Sequence, residues 1–309
     1  MTRRLLNLLL ALPPLLLIST GAAAEVVHRE RSLYQTVLVT REPSRVCLQF
    51  SVRRDQRNQT CRNPQRPQQM LFPYTRMMMT ALAFQPDPQR VLVLGLGGGT
   101  LPEALEELYP ELEMHVVEID PVVVKVAQEY FEYDPGERTE VFTQDARVFS
   151  KRRARLRQRD PAAHRGYDLI LLDAFNGDYI PEHLLTREFL QEVRSLLNDG
   201  GIIAANTFAA SQLYDHESVT YTDVFKSILS VSEGYSGNRI LLTAADGLTE
   251  ADRKAALEAS SALARRLKPY GVELRRQLRS TSARIDWDRS VRVLTDQYSP
   301  ANLLNSRRR

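Results

Sequence analysis

The sequence predicts an α/β protein in which helices cover both faces of a parallel sheet, with a small β-rich unit in front. From residue 90 onward, apolar strand-like segments alternate with helical segments, and the strands are almost continuously apolar, as parallel strands buried on both faces are. Before residue 73, two β-branched segments are joined by a turn at Glu42-Pro43-Ser44. With 309 residues, the chain can form one sizeable domain and a smaller one.

The chain divides into a leader at 1–24, the β-rich unit at 25–72, the main α/β domain at 73–300 and a basic tail at 301–309. In the β-rich unit, strands are predicted at 36–40 and 45–50, a polar loop at 62–69 and a following helix at 74–83. The methionines at 77–79 in that helix are expected to fill the core.

In the main domain, strands are predicted at 91–94, 114–118, 140–142, 167–173, 202–206 and 239–243, with 291–294 closing the sheet. Helices are predicted at 102–108, 121–131, 185–197 and 221–229, and from 250 onward. Pro121 suits a first helical turn, and Gly200-Gly201 is expected to end the helix at 185–197. Thr249 and Asp252 suit a capping box.

Composition is that of an ordinary soluble globular protein, with 43% hydrophobic and 26% charged residues and a net charge of +3. The basic runs at 53–66 and 151–159 contain no interleaved aromatic residues, so they are interpreted as solvated surface and no nucleic acid partner is predicted. The five histidines are scattered, and none is spaced from a cysteine as metal ligands are, so no metal is predicted.

The first 24 residues have the layout of a secretory signal peptide. Arg3 and Arg4 precede an apolar run at 5–18, and small alanines end the segment before Glu25. The run is short for a membrane span and Pro13-Pro14 interrupts it, yet an uncleaved anchor remains the alternative. We therefore expect an exported protein, periplasmic or secreted, or one tethered to the membrane through this segment alone.

The two cysteines, Cys47 and Cys61, suggest a disulfide, because an even number of cysteines behind a signal peptide is typical of exported proteins. Both lie in the hairpin region, where pairing across strands is geometrically feasible. The alternative is two unrelated buried thiols.

A glycine-rich loop is the strongest local motif. Gly95, Gly97 and Gly99 follow a strand and open a helix, so the backbone can turn sharply and approach a ligand at the helix N-terminus. A dinucleotide fingerprint needs glycine at position 100, which is threonine here. The pattern therefore favours a Rossmann-like, class I methyltransferase-type sheet that binds an S-adenosylmethionine-type nucleotide.

Acidic residues follow three of the strands. Glu118 ends the second strand, where a carboxylate can bind a ribose diol; a solvent-exposed acid is the alternative. Asp145, after the third strand, can accept the adenine amino group, cap a helix, or do both. Asp173 ends the central strand and can accept a proton from an amine, orient it, or cap the following turn.

These elements together resemble the spermidine synthase family, and more closely its bacterial spermidine-synthase-like branch. The similarity covers about residues 30–298. The segments that carry it are 32–35, 74–77, 95–100, 117–121, 145–147, 173–186 and 294–296.

The resemblance implies transfer of an aminopropyl group from decarboxylated S-adenosylmethionine to a polyamine, with Asp173 as the proton acceptor. It assigns nucleotide contacts to Gln35, Gly95, Gly97, Gly99, Glu118, Asp120, Asp145 and Ala146, and amine contacts to Tyr74, Asn176 and Asp178. It implies no metal, and a homodimer is an expectation from the resemblance alone.

Three positions depart from the family pattern: Thr100 and Asn176 replace aspartates, and Thr75 replaces a histidine. Because a buried ammonium without a counter-charge is costly, the two lost carboxylates disfavour putrescine as the acceptor. Methyl transfer from intact S-adenosylmethionine therefore stays open as the second hypothesis. A nucleotide- or amine-binding protein without turnover is the third.

Overall fold

The structure is a computed structural model that describes residues 24–52, 55–175, 180–234 and 236–299. Residues 1–23 of the predicted leader and the basic tail at 301–309 lie outside the described residues, as do two predicted amine contacts, Asn176 and Asp178. The boundaries proposed for the domains stay predictions.

Four strands before residue 63 form an antiparallel sheet, here called the N-terminal sheet. Its strands are β1 (Glu25–Arg31), β2 (Thr36–Glu42), β3 (Arg45–Val52) and β4 (Asp55–Arg62), paired in chain order. The two central strands and their turn confirm the sequence prediction. Buried residues of β2 and β3, such as Val37 and Leu48, pack against Val126 and Phe131 of helix α3 (Pro121–Phe131) in the main domain.

A disulfide joins Cys47 of β3 to Cys61 of β4, which are directly opposite each other in the strand register. The predicted pairing is confirmed. A cross-link that closes a loop of this length stabilises a fold by about 3 kcal/mol in the loop-entropy model. It also fixes β4, whose Thr60 hydroxyl lies 3.3 Å from that of Thr100 and whose Arg62 pairs with Glu103 at 2.9 Å. The disulfide therefore braces the strand that supports the glycine loop.

Helix α1 (Pro73–Met78) leads through a short 3₁₀ turn (Met79–Ala83) into the main sheet, and its methionines are buried as predicted. The strands of that sheet are β5 (Arg90–Leu94), β6 (Glu113–Glu118), β7 (Thr139–Thr143), β8 (Tyr167–Leu172), β9 (Leu197–Phe208), β10 (Leu229–Ser232) and β11 (Asn238–Ala244). The helices are α2 (Thr100–Leu108), α3 (Pro121–Phe131), α4 (Ala146–Arg159), α5 (Arg187–Arg194), α6 (Tyr214–Phe225), α7 (Glu250–Ala259), α8 (Ser261–Leu267) and α9 (Leu274–Ser280).

The seven strands are arranged in the order β10-β11-β9-β8-β5-β6-β7. Strands β5 to β9 are parallel to one another, whereas β11 runs antiparallel between β9 and β10. The order reverses between β5 and β8, and open α/β sheets bind ligands outside the carboxyl ends of their strands at such a switch point. Apolar side chains are buried on both faces. The predicted fold class is confirmed.

Two predicted helices differ in position from those of the structure. Helix α5 ends at Arg194, and Gly200-Gly201 lie within β9, where Gly200 has φ of 74° and the β8–β9 register shifts. Helix α6 begins at Tyr214, earlier than predicted. The sequence did not indicate its first turns because the residues buried there are polar ones such as Glu217, so the apolar periodicity of a helix is missing. Strand β10 then occupies the end of the predicted helix.

Residues 291–294 do not close the sheet, contrary to the prediction. β10 is the outermost strand on that side, and 291–294 form irregular structure. Leu294 is buried against Leu185 and Leu213, and its carbonyl accepts the Arg187 amide at 2.8 Å. The apolar character of Leu294 therefore serves packing against the segments that precede α5 and α6 rather than strand pairing.

Local helix signals are confirmed where the sequence was specific. Pro121 begins α3, and Thr249 and Asp252 form the capping box of α7. In the described ranges, no helix combines the length and the apolar character needed to cross a bilayer.

Candidate active site

A cleft of about 500 Å³ opens at the carboxyl edge of the main sheet, beneath the N-terminal sheet. Eight of the predicted site residues line it: Gln35, Tyr74, Gly95, Gly97, Glu118, Asp145, Ala146 and Asp173. They come from six different segments of the chain. The topology brings them together because the carboxyl ends of parallel strands meet at one edge of a sheet.

Two predicted contacts, Gly99 and Asp120, are not among the residues that line the cleft. Gly99 caps α2 with φ of 81°, and a Cβ there would lie 2.6 Å from the Tyr133 ring. Asp120 is fully buried, caps α3 through the Val122 amide at 2.9 Å and accepts the Ser32 hydroxyl at 2.6 Å. Both residues support the backbone around the site and do not face the cleft.

The glycine loop leaves room for a ligand at one position and for the main chain at another. Gly95 has φ of 102°, and a Cβ there would lie 2.3 Å from the Asp173 carbonyl oxygen. Glycine is therefore needed for the loop to pack against the end of β8. A Cβ on Gly97 would meet nothing within 4 Å, which is open space facing the cleft.

The Glu118 carboxylate is held by the main chain on both oxygens. Oε2 accepts the Leu96 amide and Oε1 accepts the Asp120 amide, each at 3.0 Å. Burial raises the pKa of the Glu118 carboxyl, and these two N–H groups oppose the rise. The carboxylate is thus preorganised at the cleft wall, with lone pairs left to accept hydroxyl groups such as those of a ribose.

Asp145 both caps α4 and faces the cleft, so the two predicted roles are compatible. Its Oδ1 accepts the Val148 amide at 2.9 Å, and its Oδ2 lies 2.9 Å from His183 Nε2. The hydrogen bond from His183 is the main cause that lowers the pKa of the Asp145 carboxyl. His183 lines the cleft as well, so an adenine amino group would share Oδ2 with it.

Gln35 lies in the turn between β1 and β2. Its backbone N–H donates to the Ser32 hydroxyl at 3.1 Å, and that hydroxyl donates to the Asp120 carboxylate. These hydrogen bonds connect the turn to the residue that follows β6 and caps α3. The Gln35 Oε1 atom is buried without a hydrogen-bond partner among the described residues. A buried acceptor of this kind is costly unless a ligand or water donates to it.

Asp173 lies half-buried at the base of the cleft. Asn206 Nδ2 donates to its Oδ1 at 2.8 Å, and the Tyr74 hydroxyl donates to the carboxylate as well. Burial raises the pKa of the Asp173 carboxyl to about 7; the two donors oppose the rise, and the negative charge of Glu118 adds to it. A carboxylate with a pKa near the working pH is suited to accept a proton during a reaction.

The structure adds His183 and Asn206 to the predicted site. His183 follows Asp173 in the loop before α5, and Asn206 comes from β9; neither was among the predicted site residues. Asn206 ends a predicted strand beside the one that carries Asp173, which is the signal that could have identified it. Within the part of the chain that the structure describes, no group of three or more His, Cys, Asp or Glu side chains could hold a metal ion.

Comparisons with known proteins agree with this geometry. A model of the spermine/spermidine synthase domain matches residues 71–235. The polyamine aminopropyltransferase of Vibrio vulnificus is 45% identical over 282 residues, covering 90% of this chain and 91% of that protein. This chain belongs to the spermine/spermidine synthase family. The resemblance found in the sequence motifs is confirmed, and the chain is a member of a family of transferases.

Two further matches show how widely the fold of this family member is shared. The N-terminal histidine N-methyltransferase of Emericella nidulans is 40% identical over 123 residues, which are 40% of this chain and 20% of that protein. The crystal structure of a probable spermidine synthase from Corynebacterium glutamicum has a TM-score of 0.62 at 20% identity, covering 87% of this chain and 99% of that chain. At that identity the structural match shows the fold alone.

Proposed function

We propose that this enzyme transfers an aminopropyl group from decarboxylated S-adenosylmethionine to a polyamine-type amine. The amine nitrogen bonds to the carbon next to the sulfonium sulfur, the bond from that carbon to sulfur breaks, and methylthioadenosine leaves. The ammonium proton passes to Asp173. The observation that carries the proposal is the Asp173 carboxylate, fixed at the base of the cleft in a family of aminopropyltransferases.

In this reaction the leaving group is already activated by its positive charge, so the protein mainly aligns and deprotonates the amine. Glu118 binds the ribose diol, Asp145 accepts the adenine amino group, and the unpaired Gln35 oxygen accepts a donor from the nucleotide. Tyr74, whose hydroxyl is hydrogen-bonded to Asp173, lines the cleft beside the incoming amine.

Methyl transfer from intact S-adenosylmethionine is the second candidate, and one observation favours it. Thr100 stands where the family carries an aspartate, and its hydroxyl contacts Thr60 of β4 rather than supplying a carboxylate. A neutral group there removes the expected repulsion of a nucleotide that keeps its own carboxylate. The fungal methyltransferase that is similar over 123 residues agrees with this alternative.

Calorimetric titration of the protein with both nucleotides tests the proposal. We expect decarboxylated S-adenosylmethionine to bind at least about 10-fold more tightly than the intact form, a difference of about 1.4 kcal/mol. With a panel of diamines and polyamines, methylthioadenosine should form in step with the aminopropylated amine. Preference for the intact nucleotide together with S-adenosylhomocysteine as the product would instead establish methyl transfer. Binding without either product would leave a protein that only binds nucleotide or amine.

We also propose that the protein works outside the cytoplasm, exported or tethered by its leader. The basic and apolar N-terminal segment supports this, as does the Cys47–Cys61 disulfide, because disulfides persist in oxidising compartments. After fractionation of cells that express the tagged full chain, we expect it in the periplasm, medium or membrane, with thiols that react only after reduction. Full-length chain in the cytosol with both thiols free would contradict export.

A further inference from the structure

A chain of three hydrogen bonds ends on Asp173. The Ser236 hydroxyl lies 3.4 Å from Asn238 Oδ1, Asn238 Nδ2 donates to Asn206 Oδ1 at 3.0 Å, and Asn206 Nδ2 donates to Asp173 Oδ1 at 2.8 Å. Every donor in this chain points toward the carboxylate. The groups come from the loop before β11, from β11 itself and from β9, so this series of hydrogen bonds crosses the sheet and lies behind the cleft.

The strand register builds this arrangement. β9 and β11 are antiparallel, with Asn206 opposite Ile240 and Phe208 opposite Asn238. Asn206 and Asn238 are therefore diagonal neighbours on one face of the sheet, where side chains of this size meet. Asn206 is only 4% exposed. If its amide were reversed, its oxygen would face the Asp173 carboxylate and its NH₂ group would face that of Asn238, so one orientation is enforced.

We propose that Asn206 and Asn238 are positioning residues that hold the Asp173 carboxylate in its proton-accepting state. The inference rests on the proposed function, in which Asp173 takes the proton of the amine. Asn206 acts directly, by donating to Oδ1. Asn238 acts through Asn206, because it fixes which end of that amide faces the carboxylate and polarises it further.

The physical reason is that a hydrogen bond donated to a carboxylate stabilises the charged form over the protonated one. Burial and the negative charge of Glu118 act in the opposite direction on Asp173, and the Tyr74 hydroxyl is a second donor to it. Glu118 and Tyr74 are the titratable groups of the described cleft that act on this carboxyl. Substitutions at 206 and 238 leave both in place, so their effect isolates the amide chain.

The test compares Asn206→Ala and Asn238→Ala with a matched control, Asn198→Ala. Asn198 also lies on β9 and donates to an aspartate of the same neighbouring strand, Asp168, at 2.8 Å, but at the opposite end of the sheet from the cleft. The Asn198–Asp168 pair thus has the same chemistry and the same donor–acceptor distance as the Asn206–Asp173 pair, but it has no access to the substrate. We expect Asn198→Ala to leave the pH dependence of kcat unchanged.

For Asn206→Ala, the acid limb of the pH profile of kcat should move to higher pH by about one unit, the size expected for one hydrogen bond to a charged group. Activity should then fall about 10-fold at pH values below the new limb and recover toward that of the parent enzyme at high pH. Asn238→Ala should move the limb in the same direction by less. The KM for the nucleotide should stay within about 2-fold, because neither residue lines the nucleotide side of the cleft.

A second readout does not require turnover. Titration of the Asp173 carboxyl carbon by NMR, in protein labelled with ¹³C-aspartate, should give a higher pKa in both variants than in the parent and in Asn198→Ala. If Asn206→Ala does not fold, the partly exposed Asn238 provides the same comparison. Profiles and titrations that coincide with those of Asn198→Ala would overturn the inference. An active Asp173→Asn enzyme would instead overturn the proposed function, so the two failures are distinguishable.

Discussion

Replacing Asp173 by asparagine is expected to lower kcat by about 10² to 10⁴-fold, the range typical of removing a general base. Asparagine keeps the shape and can still accept hydrogen bonds from Asn206 and Tyr74, but it cannot take a proton. Nucleotide affinity should change by no more than about 3-fold, because the ribose and adenine contacts are elsewhere in the cleft. Steady-state kinetics and calorimetric titration of the same preparation measure the two quantities.

The same carboxyl predicts how the parent enzyme responds to pH. Burial raises the pKa of Asp173 to about 7, so kcat should decrease as pH falls through 7 and the carboxylate becomes protonated. The folded state binds this proton more tightly than the unfolded chain, in which an aspartate titrates near 3.9. Stability is therefore lost as pH rises from about 4 to about 7. Asp173→Asn has no such loss, so its Tm at pH 8 should equal or exceed that of the parent.

Asp168→Asn is the control, because it should lower stability without changing catalysis, the reverse of what is expected for Asp173→Asn. Asp168 lies on β8, the strand that leads directly to Asp173. Its Oδ2 accepts the Gln89 and Arg90 amides at 2.9 Å, at the end of the strand away from the cleft. Its replacement should lower the Tm and leave kcat and its pH profile intact. An Asp173→Asn enzyme that turns over at more than a tenth of the parent rate would show that another group takes the proton.

The main sheet could be predicted from sequence because its strands carry their own signal. β5 is apolar over 91–94 and β8 over 169–172, as strands buried on both faces must be, and glycines or prolines mark the connections. β4 has the sequence Asp-Gln-Arg-Asn-Gln-Thr-Cys-Arg, which offers no apolar alternation, so its pairing with β3 depends on neighbours rather than on local preference. The segment 291–294 was wrongly predicted as a strand for the converse reason: Leu294 is apolar because it packs against Leu185 and Leu213, not because it pairs in a sheet.

The candidate site divides in the same way. Gly95 and Asp173 directly follow parallel strands and Glu118 ends one, so the topology alone predicts that they meet at one edge. Asn206 and Asn238 meet only through the antiparallel register of β9 and β11, which depends on where β11 inserts into the sheet. A single sequence does not specify that register locally. The residues around the reacting group were therefore predictable, and those that support it from behind were not.

The second large effect is expected at Glu118. Glu118→Ala should weaken nucleotide binding by more than about 100-fold, since two hydroxyl groups hydrogen-bonded to one carboxylate contribute about 3 to 6 kcal/mol together. The same substitution leaves the Leu96 and Asp120 amides without their acceptor, which loosens the glycine loop and adds to the loss. Calorimetric titration with methylthioadenosine, which contains the ribose and adenine but no reacting group, measures this contact without turnover.

Glu113→Ala is the matched control because Glu113 begins the same strand, β6, at the end away from the cleft. Its side chain pairs with Arg90 at 3.2 Å on a half-exposed surface, a contact that contributes little to stability. Glu118→Gln separates the two parts of the effect: it keeps one oxygen for a backbone amide but places an NH₂ group against another N–H. If Glu118→Ala binds methylthioadenosine as tightly as Glu113→Ala does, Glu118 does not hold the ribose.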